Sequence, residues 1–551
     1  MPKPASRRLK GNFSLGGEAA EHDWLLQTAF YSSARYEQLV SRTDPKCFLV
    51  GRTGSGKSAA LQRLEDENPG HTIRIKPDDL SLPYITNVGV IKQLTDLDIH
   101  LDPFFLALWK HVFIVEIIRK RYNIDSEAAR DNILRSLYDR IRRNRSKRAA
   151  LDYLKEFEGK FWCETDQRVR DITHKLEEQV KGEGSLEFGK PIGKAVIGKG
   201  GTRTSATEEH IELVQRYQRI VNETQVPRLN KMIDVIEDDI LDTDQNYMYI
   251  VIDDLDQDWV DETAANNLIR CLFRAIHDLK RVRNLKILVA LRTNIFEHLD
   301  FGSKTGGQEE KFRALTLHMQ WTKAELQELL DERVRVAAEE YGVPRVSSIK
   351  DLLPSPNQTR GNALDYILGR TLMRPRDAIV FLNECIQRAA GKSKLTWEAI
   401  QSAEAPYSRN RLLALRDEWK PTYPAIERVY RVFTRCPLRM RPATFTRYLD
   451  EIILLAEEPD FAGVSWMEQL SQDFWKSASQ DNWYETYAPL ARLLFDIGFI
   501  GCTTTGFKRG KIYSYDDPEF FASTLNISRV QSFFVHPCFH AALDIDPGKN
   551  M

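Results

Sequence analysis

A stretch of eight residues close to the amino terminus has the residue types and spacing needed to bind a chain of phosphates. It matches the pattern G-x-x-x-x-G-K-[ST] in full and consists of Gly51, Arg52, Thr53, Gly54, Ser55, Gly56, Lys57 and Ser58. Glycines let backbone N–H groups approach a phosphate closely, and a helix after the loop adds its positive end. Lys57 can then reach the terminal phosphates, and the Ser58 hydroxyl can bind Mg²⁺. The sequence therefore predicts a loop that binds a nucleoside triphosphate and its magnesium ion.

Acidic residues at the end of an apolar segment could supply the rest of a hydrolytic site. Residues 247–252 are apolar, and Asp253 and Asp254 follow at once. A phosphate site of this kind needs an acid at the end of a neighbouring strand to hold the metal, and Asp253 is the candidate. Asp254 is placed to polarise the attacking water, although it could instead cap the strand end. Asp256 and Asp258 are the alternatives to this pair.

Other cationic and polar side chains are candidates for contact with the γ-phosphate. Arg292 and Asn294 follow a further apolar segment, where such residues either sense the phosphate or belong to a solvated loop. Arg374 and Arg376 flank a proline that favours the start of a helix, and one of them could reach the nucleotide. Arg313 is the alternative for an arginine supplied by a neighbouring subunit.

The elements that must position these residues are strands that alternate with helices. Residues 46–50 predict a strand that leads into the loop, and residues 58–65 have helical spacing after it. Further strands are predicted at 72–75, 247–252 and 286–291, with a helix at 261–283 between the last two. A β-α-β order of this kind requires a parallel sheet, and the fold class is therefore α/β.

A long insertion and two later regions complete the predicted domain organisation. About 170 residues separate the second strand from the third, far more than one crossover helix needs. We predict a P-loop NTPase core over residues 1–320, with a helical insert at about 103–240 that is interrupted by a glycine-rich tract at 182–205. A helical lid is predicted over 321–405. Helices followed by two short strands, at 499–502 and 511–515, predict a winged-helix-like domain over 406–551.

Composition limits the class of protein. The chain has 551 residues, with 78 basic and 79 acidic side chains, so any contact with nucleic acid must come from a local patch. Its seven scattered cysteines contain no C-x-x-C pair, which fits a reducing cytoplasm. The amino terminus has no apolar stretch typical of a secretory signal. Charged residues interrupt the most apolar segment, 103–118, which we interpret as a buried helix and not as a membrane span.

Together these motifs resemble the additional-strand P-loop NTPases of the AAA+, STAND and KAP group. The resemblance is strongest to bacterial cytosolic ATPases with a winged-helix tail that occur in phage-defence loci. The phosphate loop corresponds to a Walker A motif, and Ile252-Asp253-Asp254-Leu255-Asp256 to a Walker B motif. Residues 291–294 are similar to a sensor position, residues 373–377 to a lid position, and residues 494–501 to the passage from a helix into a wing. The resemblance covers most of the chain outside the insert.

This resemblance implies a function and a set of roles. Lys57 and Ser58 would bind ATP and Mg²⁺, Asp253 and Asp254 would serve metal and water, and Arg374 or Arg376 would sense the nucleotide. Many relatives have Glu at the position of Asp254, so slow turnover is expected. Such proteins are ATP-hydrolysing switches that often form homo-oligomers and control an effector partner. KAP relatives often carry membrane helices, and this insert has no segment of sufficient length.

A basic stretch near the third region supports an alternative function. Arg431, Arg435, Arg439, Arg441 and Arg447 occur without an intervening acid, and Lys508, Arg509 and Lys511 lie at the predicted wing tip. These residues either contact DNA phosphates, as in an ATPase that loads or remodels complexes on DNA, or form a basic surface. A small-molecule phosphotransferase is a further, less favoured class, because the phosphate loop is shared with kinases. His536, Cys538 and His540 lack a fourth ligand nearby and do not predict a metal site.

Overall fold

The computed structural model describes the chain in stretches that are separated by gaps. These are residues 8–75, 94, 99–123, 127–140, 148, 226–253, 255, 262–299, 308–343, 345–477, 482–505 and 510–546. The chain divides into two compact units. The sheet unit comprises residues 34–51 and 60–318, and the helical unit comprises residues 1–33, 52–59 and 319–551.

Within the described residues of the sheet unit, five strands form one parallel sheet. They are β1 (Phe48–Gly51), β2 (Thr72–Ile75), β3 (Met248–Ile252), β4 (Leu285–Arg292) and β5 (Thr316–His318). Their order is β2-β3-β4-β1-β5, and every neighbouring pair is parallel. The predicted α/β class is confirmed, and the first four strands lie within two residues of their predicted bounds.

The register of the sheet fixes the levels at which three of its parallel strands end. Gly51, the last residue of β1, lies opposite Arg292, the last residue of β4. Val289 of β4 lies opposite both Phe48 of β1 and Ile252 of β3. Ile252, the last residue of β3, is thus level with the first residue of β1, two strands away, and β3 ends three residues before the level of Gly51, although both strands run in the same direction.

Helices cover the sheet within this unit. They are α1 (Ala34–Val40), the greater part of α2 (Lys57–Glu67), α3 (Asp102–Tyr122), α4 (Glu127–Arg140), α5 (Val226–Val235), α6 (Glu262–Leu279), α7 (Thr293–His298) and α8 (Gln308–Ala314). A π-helical turn, Ile236–Ile240, continues α5. The predicted helical spacing is confirmed in α6, where Leu268, Leu272 and Ile276 are buried. Burial on both faces explains why β1 is apolar throughout.

The apolar segment predicted to be a buried helix is confirmed as α3. Most of its side chains are buried, and the indole N–H of Trp109 donates to the carbonyl of Leu268 over 2.9 Å. Lys110 is 0% exposed, and its ammonium donates to Asp278 and, over 2.6 Å, to Asn230. A charge this deeply buried is stable only when it is paired. No helix among the described residues is long and apolar enough to cross a membrane.

Much of the predicted helical insert lies outside the described residues. This includes the glycine-rich tract at 182–205 and most of the basic run at 140–148. Within the described part of the segment the chain is helical in α3, α4 and α5.

The helical unit contains the helices that follow the sheet in sequence. They are α9 (Lys323–Glu340), α10 (Ile349–Leu352), α11 (Ala363–Leu368), α12 (Pro375–Arg388), α13 (Trp397–Trp419), α14 (Ile426–Val432), α15 (Pro442–Leu454), α16 (Ser465–Ser477), α17 (Trp483–Asp496) and α18 (Thr524–Ser528). Short 3₁₀ turns lie at Ala20–His22, Leu455–Glu457, Pro459–Phe461, Phe520–Ala522, Pro537–Phe539 and Ala541–Leu543. A capping box of Thr322 and Glu325 begins α9. Leu9, Phe13 and Leu15 are buried in the same apolar core as these helices.

The carboxyl-terminal strands differ from the sequence prediction. The strand β6 (Ile500–Thr504) is close to its predicted place, but its antiparallel partner is β7 (Val530–Val535). The strand predicted at 511–515 forms only an isolated bridge between Ile512 and Cys502. The glycine-flanked turn favoured a local hairpin, whereas the pairing of β6 with β7 extends from Ile500 opposite Val535 to Thr504 opposite Val530.

Candidate functional site

The phosphate loop joins β1 to α2 and turns at two glycines. Gly54 has a φ of +80° and Gly56 a φ of +94°, values at which any other residue is strained. A Cβ on Gly54 would also lie 2.8 Å from Cβ of Arg376. Glycine at these positions is therefore required by backbone conformation and, at Gly54, by close packing. Lys57 begins α2, so its position at the start of a helix agrees with the prediction.

Hydrogen bonds within the loop hold Lys57 and Ser55 close to its first turn. The main-chain carbonyl of Arg52 accepts from the N–H of Ser55 over 3.1 Å and from the ammonium of Lys57 over 3.2 Å. The indole N–H of Trp321 donates to the carbonyl of Ser55 over 2.8 Å. Because the carbonyls of Arg52 and Ser55 are bonded in this way, the loop is held in its turned conformation.

Arg374 and Arg376 both contact the loop. Arg374 is the N-cap of α12 and precedes Pro375 at the first helical position, as the sequence predicted. Its guanidinium Nη1 donates to the carbonyl of Thr53 over 2.8 Å. The main-chain N–H of Arg376 donates to the carbonyl of Gly54 over 3.4 Å, while its side chain donates to the carbonyl of Glu18 over 3.0 Å. Of the two candidates, Arg374 is thus the one whose side chain bonds to the phosphate loop.

Glu418, near the end of α13, is the acidic partner of two arginines. Its carboxylate accepts from Nη1 of Arg374 over 3.0 Å and from Nε of Arg52 over 3.4 Å. It also accepts from the backbone N–H of Thr53 over 3.2 Å, and only 6% of its side chain is exposed. Burial alone would raise the pKa of Glu418, but the charges and hydrogen bonds of its partners lower that pKa to about 2. Glu418 is therefore an anion at neutral pH.

Arg52 extends this cluster to a second helix end. Its Nη2 donates over 2.6 Å to the carbonyl of Ile497, which follows the last turn of α17. Gly498 has a φ of +77°, and a Cβ there would lie 2.4 Å from Nη1 of Arg52. Burial, and then the charge of Arg374, lower the pKa of Arg52. We name Arg52, Arg374 and Glu418 the charge cluster.

The charge cluster retains donors that could bind an anion. It contains two guanidiniums and one carboxylate, so one positive charge is not balanced within it. Nε and Nη2 of Arg374 and Nη1 of Arg52 are buried and have no hydrogen-bond partner among the described residues. Guanidinium N–H groups bind phosphate oxygens strongly. These donors, the turned glycine loop and the helix that begins at Lys57 fit the phosphate groups of a nucleotide.

Several predicted residues follow strands of the sheet unit. Asp253 comes directly after β3 and is 7% exposed. Arg292 ends β4, and Asn294 lies in the first turn of α7. Arg313 is exposed on α8. Asp254, with the alternatives Asp256 and Asp258, lies outside the described residues.

Sequence reasoning missed Glu418 and Trp321, both of which hydrogen-bond to the loop. Glu418 lies between Asp417 and Trp419 in a long helix, and its sequence context is that of an ordinary solvated acid. Trp321 directly precedes a helix cap. No local pattern distinguishes either residue, because each acts on a loop more than 250 positions away in the chain.

The histidines near the carboxyl terminus have structural roles. Nδ1 of His536 accepts from the backbone N–H of Cys538, and Nε2 of His540 lies 2.8 Å from the carbonyl of Val535. Burial lowers the pKa of both histidines, that of His540 to about 4, so both are neutral at physiological pH. Among the described residues no group of three or more His, Cys, Asp or Glu could hold a metal ion.

The basic stretch lies on the surface of the helical unit. All five of its arginines are exposed: Arg431, Arg435, Arg439, Arg441 and Arg447. Arg439 donates to the hydroxyl of Ser532, and Arg435 lies 3.8 Å from Asp544. Lys511 lies over the ring of Phe534, while Lys508 and Arg509 lie outside the described residues.

Comparison with known proteins identifies three similarities. Residues 324–416 match the family model described as the FunZ-associated C-terminal helical domain. The chain is 21% identical over 559 aligned positions to the transposon gamma-delta 80.3 kDa protein of Escherichia coli (strain K12), covering 96% of this chain and 67% of that protein. The solved structure of the Aeropyrum pernix Orc1 protein in complex with DNA is 12% identical, with a TM-score of 0.30 over 93% of this chain and 92% of that one.

Proposed function

We propose that this protein is a P-loop ATPase that binds and hydrolyses ATP and acts as a molecular switch. The observation that carries the proposal is the conformation of the phosphate loop. Gly54 and Gly56 turn the chain between β1 and α2, and Lys57 begins the helix. A loop of this form exposes backbone N–H groups to a phosphate at the positive end of a helix.

The loop residues would bind the nucleotide. In this proposal Lys57 contacts the terminal phosphates, and the hydroxyl of Ser58 is a ligand of the magnesium ion. Bound Mg²⁺ would neutralise charge on the β- and γ-phosphate oxygens. Arg374 has buried N–H groups with no partner in the described part of the chain, which supports a role for this residue, in preference to Arg376, in binding a phosphate.

Acids after β3 would complete the hydrolytic machinery. We assign Asp253 to the metal and Asp254 to the attacking water, with slow turnover because Asp is one methylene shorter than Glu. The parallel sheet supports this assignment, since β1 and β3 run in the same direction and their carboxyl ends face the same side of the sheet. Arg292 or Asn294 would sense the γ-phosphate, and Arg313 is the candidate for an arginine supplied to a neighbouring subunit.

The biological setting is proposed from the resemblance to phage-defence ATPases. In that setting the ATP-bound state would control homo-oligomer assembly or an effector partner in antiphage defence or signalling. The match of residues 324–416 to a FunZ-associated helical domain supports a role for the helices that follow the core. We retain the winged-helix-like domain over 406–551 and a cytoplasmic location as parts of this proposal.

Two substitutions test the proposed ATPase. Lys57→Ala should abolish ATP binding, because it removes the ammonium that would contact the terminal phosphates at the start of α2. Asp254→Asn should preserve binding and stop hydrolysis, since an amide cannot accept the proton of the attacking water. Binding is measured with a fluorescent ATP analogue and hydrolysis by phosphate release, with Lys323→Ala as an exposed-lysine control. Unchanged binding and turnover in both variants would exclude the proposal.

The exposed arginines favour a second candidate, a DNA-binding ATPase that loads or remodels complexes on DNA. Arg441 and Arg447 are exposed and belong to the five-arginine stretch. Replacing both by Gln should weaken DNA binding and reduce its salt dependence, because fewer counterions are released. The matched control replaces the exposed Arg345 and Arg360. Absence of DNA retention by the unmodified protein at low salt would remove this candidate.

A further inference from the structure

The charge cluster connects the phosphate loop to two helix ends of the same unit. Glu418 lies in the last turn of α13, and Arg52 donates to the carbonyl of Ile497 after α17. Arg374 connects the same carboxylate to the carbonyl of Thr53 in the loop. Two arginines that are distant in sequence thus share one buried acceptor, Glu418, and the loop cannot move without affecting their hydrogen bonds.

We infer that Glu418 is a positioning residue of the nucleotide site, acting through Arg374, and that the charge cluster couples phosphate binding to the ends of α13 and α17. The inference rests on the proposed function and names a regulation of that same site. Glu418 touches no nucleotide in this scheme. It holds Arg374 so that its free N–H groups face a phosphate.

The electrostatics of the cluster require the carboxylate. Two guanidiniums close together repel each other, and burial strengthens that repulsion because water screens it less. Glu418 offsets one of the two charges and accepts from both arginines. Without this anion, Arg374 would move towards solvent and lose its bond to Thr53. The unbalanced positive charge that remains with Glu418 in place is suited to a phosphate oxygen.

The coupling follows from the contacts of Arg52. Its side chain bonds to Ile497 and Glu418, and its own carbonyl accepts from Lys57. A phosphate that attracts Lys57 competes with that carbonyl, so binding changes the position of Arg52. By linkage, if bound nucleotide favours one arrangement of the two helix ends by some factor, that arrangement binds nucleotide more tightly by the same factor.

The first experiment compares two glutamates of the same helix. Glu418→Gln should weaken ATP binding about tenfold, the size typical of coupling between sites. Glu404→Gln is the control, because Glu404 also lies on α13 and pairs with an arginine, Arg370, over 2.6 Å. Wild-type affinity in Glu418→Gln would overturn the inference. If the unmodified protein binds no ATP, or Lys57→Ala binds it normally, the proposed function fails instead.

A double-mutant cycle separates positioning from a merely structural effect. If Glu418 acts through Arg374, then Glu418→Gln combined with Arg374→Lys should bind ATP no more weakly than the poorer single variant, within about twofold. If the fold-losses of ATP affinity in the two single variants multiply in the double variant, Glu418 acts independently of Arg374 and the inference is wrong.

Two further measurements apply if Glu418→Gln does not fold. The double variant Arg52→Met with Glu418→Gln removes one charge of each sign, and with it the repulsion between the guanidiniums. It should still bind ATP about tenfold more weakly, because Arg374 loses its bond to Glu418, and wild-type affinity would overturn the inference. Hydrogen exchange of the unmodified protein should change on addition of ATP and Mg²⁺ in residues 415–420 and 495–500. Protection confined to the phosphate loop, with neither segment affected, would contradict the coupling.

Discussion

The guanidinium of Arg374 donates to the main-chain carbonyl of Thr53 over 2.8 Å, although 321 positions separate the two residues in the chain. The bond places the start of α12 against the phosphate loop. Arg374 keeps two nitrogen positions, Nε and Nη2, without partners among the described residues. This arrangement supports a direct contribution of Arg374 to phosphate binding and leads to specific predictions.

Arg374→Lys should weaken ATP binding about tenfold, as expected when a hydrogen bond to a charged group is lost. A lysine has one nitrogen and cannot bond to Thr53 and Glu418 in the same planar geometry while it faces a phosphate. Arg388→Lys is the control, because Arg388 pairs with Glu384 within α12 and has no contact with the loop among the described residues. Equal affinities of the two variants, measured by titration with a fluorescent ATP analogue, would refute the assignment.

Gly54→Ala should abolish nucleotide binding by distorting the phosphate loop. An alanine at this position would have an unfavourable backbone φ of +80°, and its methyl carbon would lie 2.8 Å from Cβ of Arg376. The matched control is Gly361→Ala, where φ is +71° and no atom lies within 4 Å of the added carbon. Both variants have the backbone strain, on the order of 1–2 kcal/mol, but only the first has the clash. Normal ATP binding by Gly54→Ala would show that the loop tolerates another conformation.

Gly498→Ala should destabilise the helical unit more than an equivalent change elsewhere. The methyl group would lie 2.4 Å from Arg52, a buried side chain that is held by Glu418 and Ile497. Gly463→Ala has a similar φ of +75° in open space and serves as control. Overpacking should add on the order of 1–3 kcal/mol to the loss at Gly498. Urea unfolding at pH 7 measures both free energies, and equal losses would argue against tight packing of Arg52.

Acid should remove the stability that Glu418 provides. Its pKa is lowered in the folded state to about 2, below the ordinary value of 4.5, despite its burial. A group of this kind stabilises the fold fully above about pH 4.5 and loses its contribution as the pH falls towards 2. Burial raises the pKa of the neighbouring Tyr430, which stays neutral in this range.

The measurement compares the unmodified protein with Glu418→Gln. Other acids titrate equally in both proteins, so the difference in unfolding free energy isolates Glu418. We expect a difference on the order of 2 kcal/mol at pH 6 that becomes smaller between pH 4.5 and 2. Glu404→Gln provides a second comparison on the same helix. A difference that stays constant down to pH 2.5 would rule out a charged Glu418 as the cause.

Local patterns were sufficient to predict four strands of the parallel sheet and the glycine-rich loop that follows the first of them. The apolar run before Gly51 and the helical spacing after Lys57 depend on neighbouring residues, and both were found where expected. The same holds for α3, whose apolar content exceeds what a solvated helix would carry. The partner of β6 was mispredicted because strand pairing depends on the path of the chain between the strands.

The sequence by itself determined that this chain has a parallel sheet and a glycine-rich turn suited to phosphate, since periodicity and backbone dihedral preferences act over a few residues. Only the tertiary structure decided that Glu418 lies against Thr53, 365 positions away, and that Arg52 and Arg374 share its charge. The attraction between these charges depends on burial, because opposite charges attract each other more strongly where water is excluded. Whether an acid is buried or solvated is a property of the folded chain, which the residue and its neighbours in sequence do not specify.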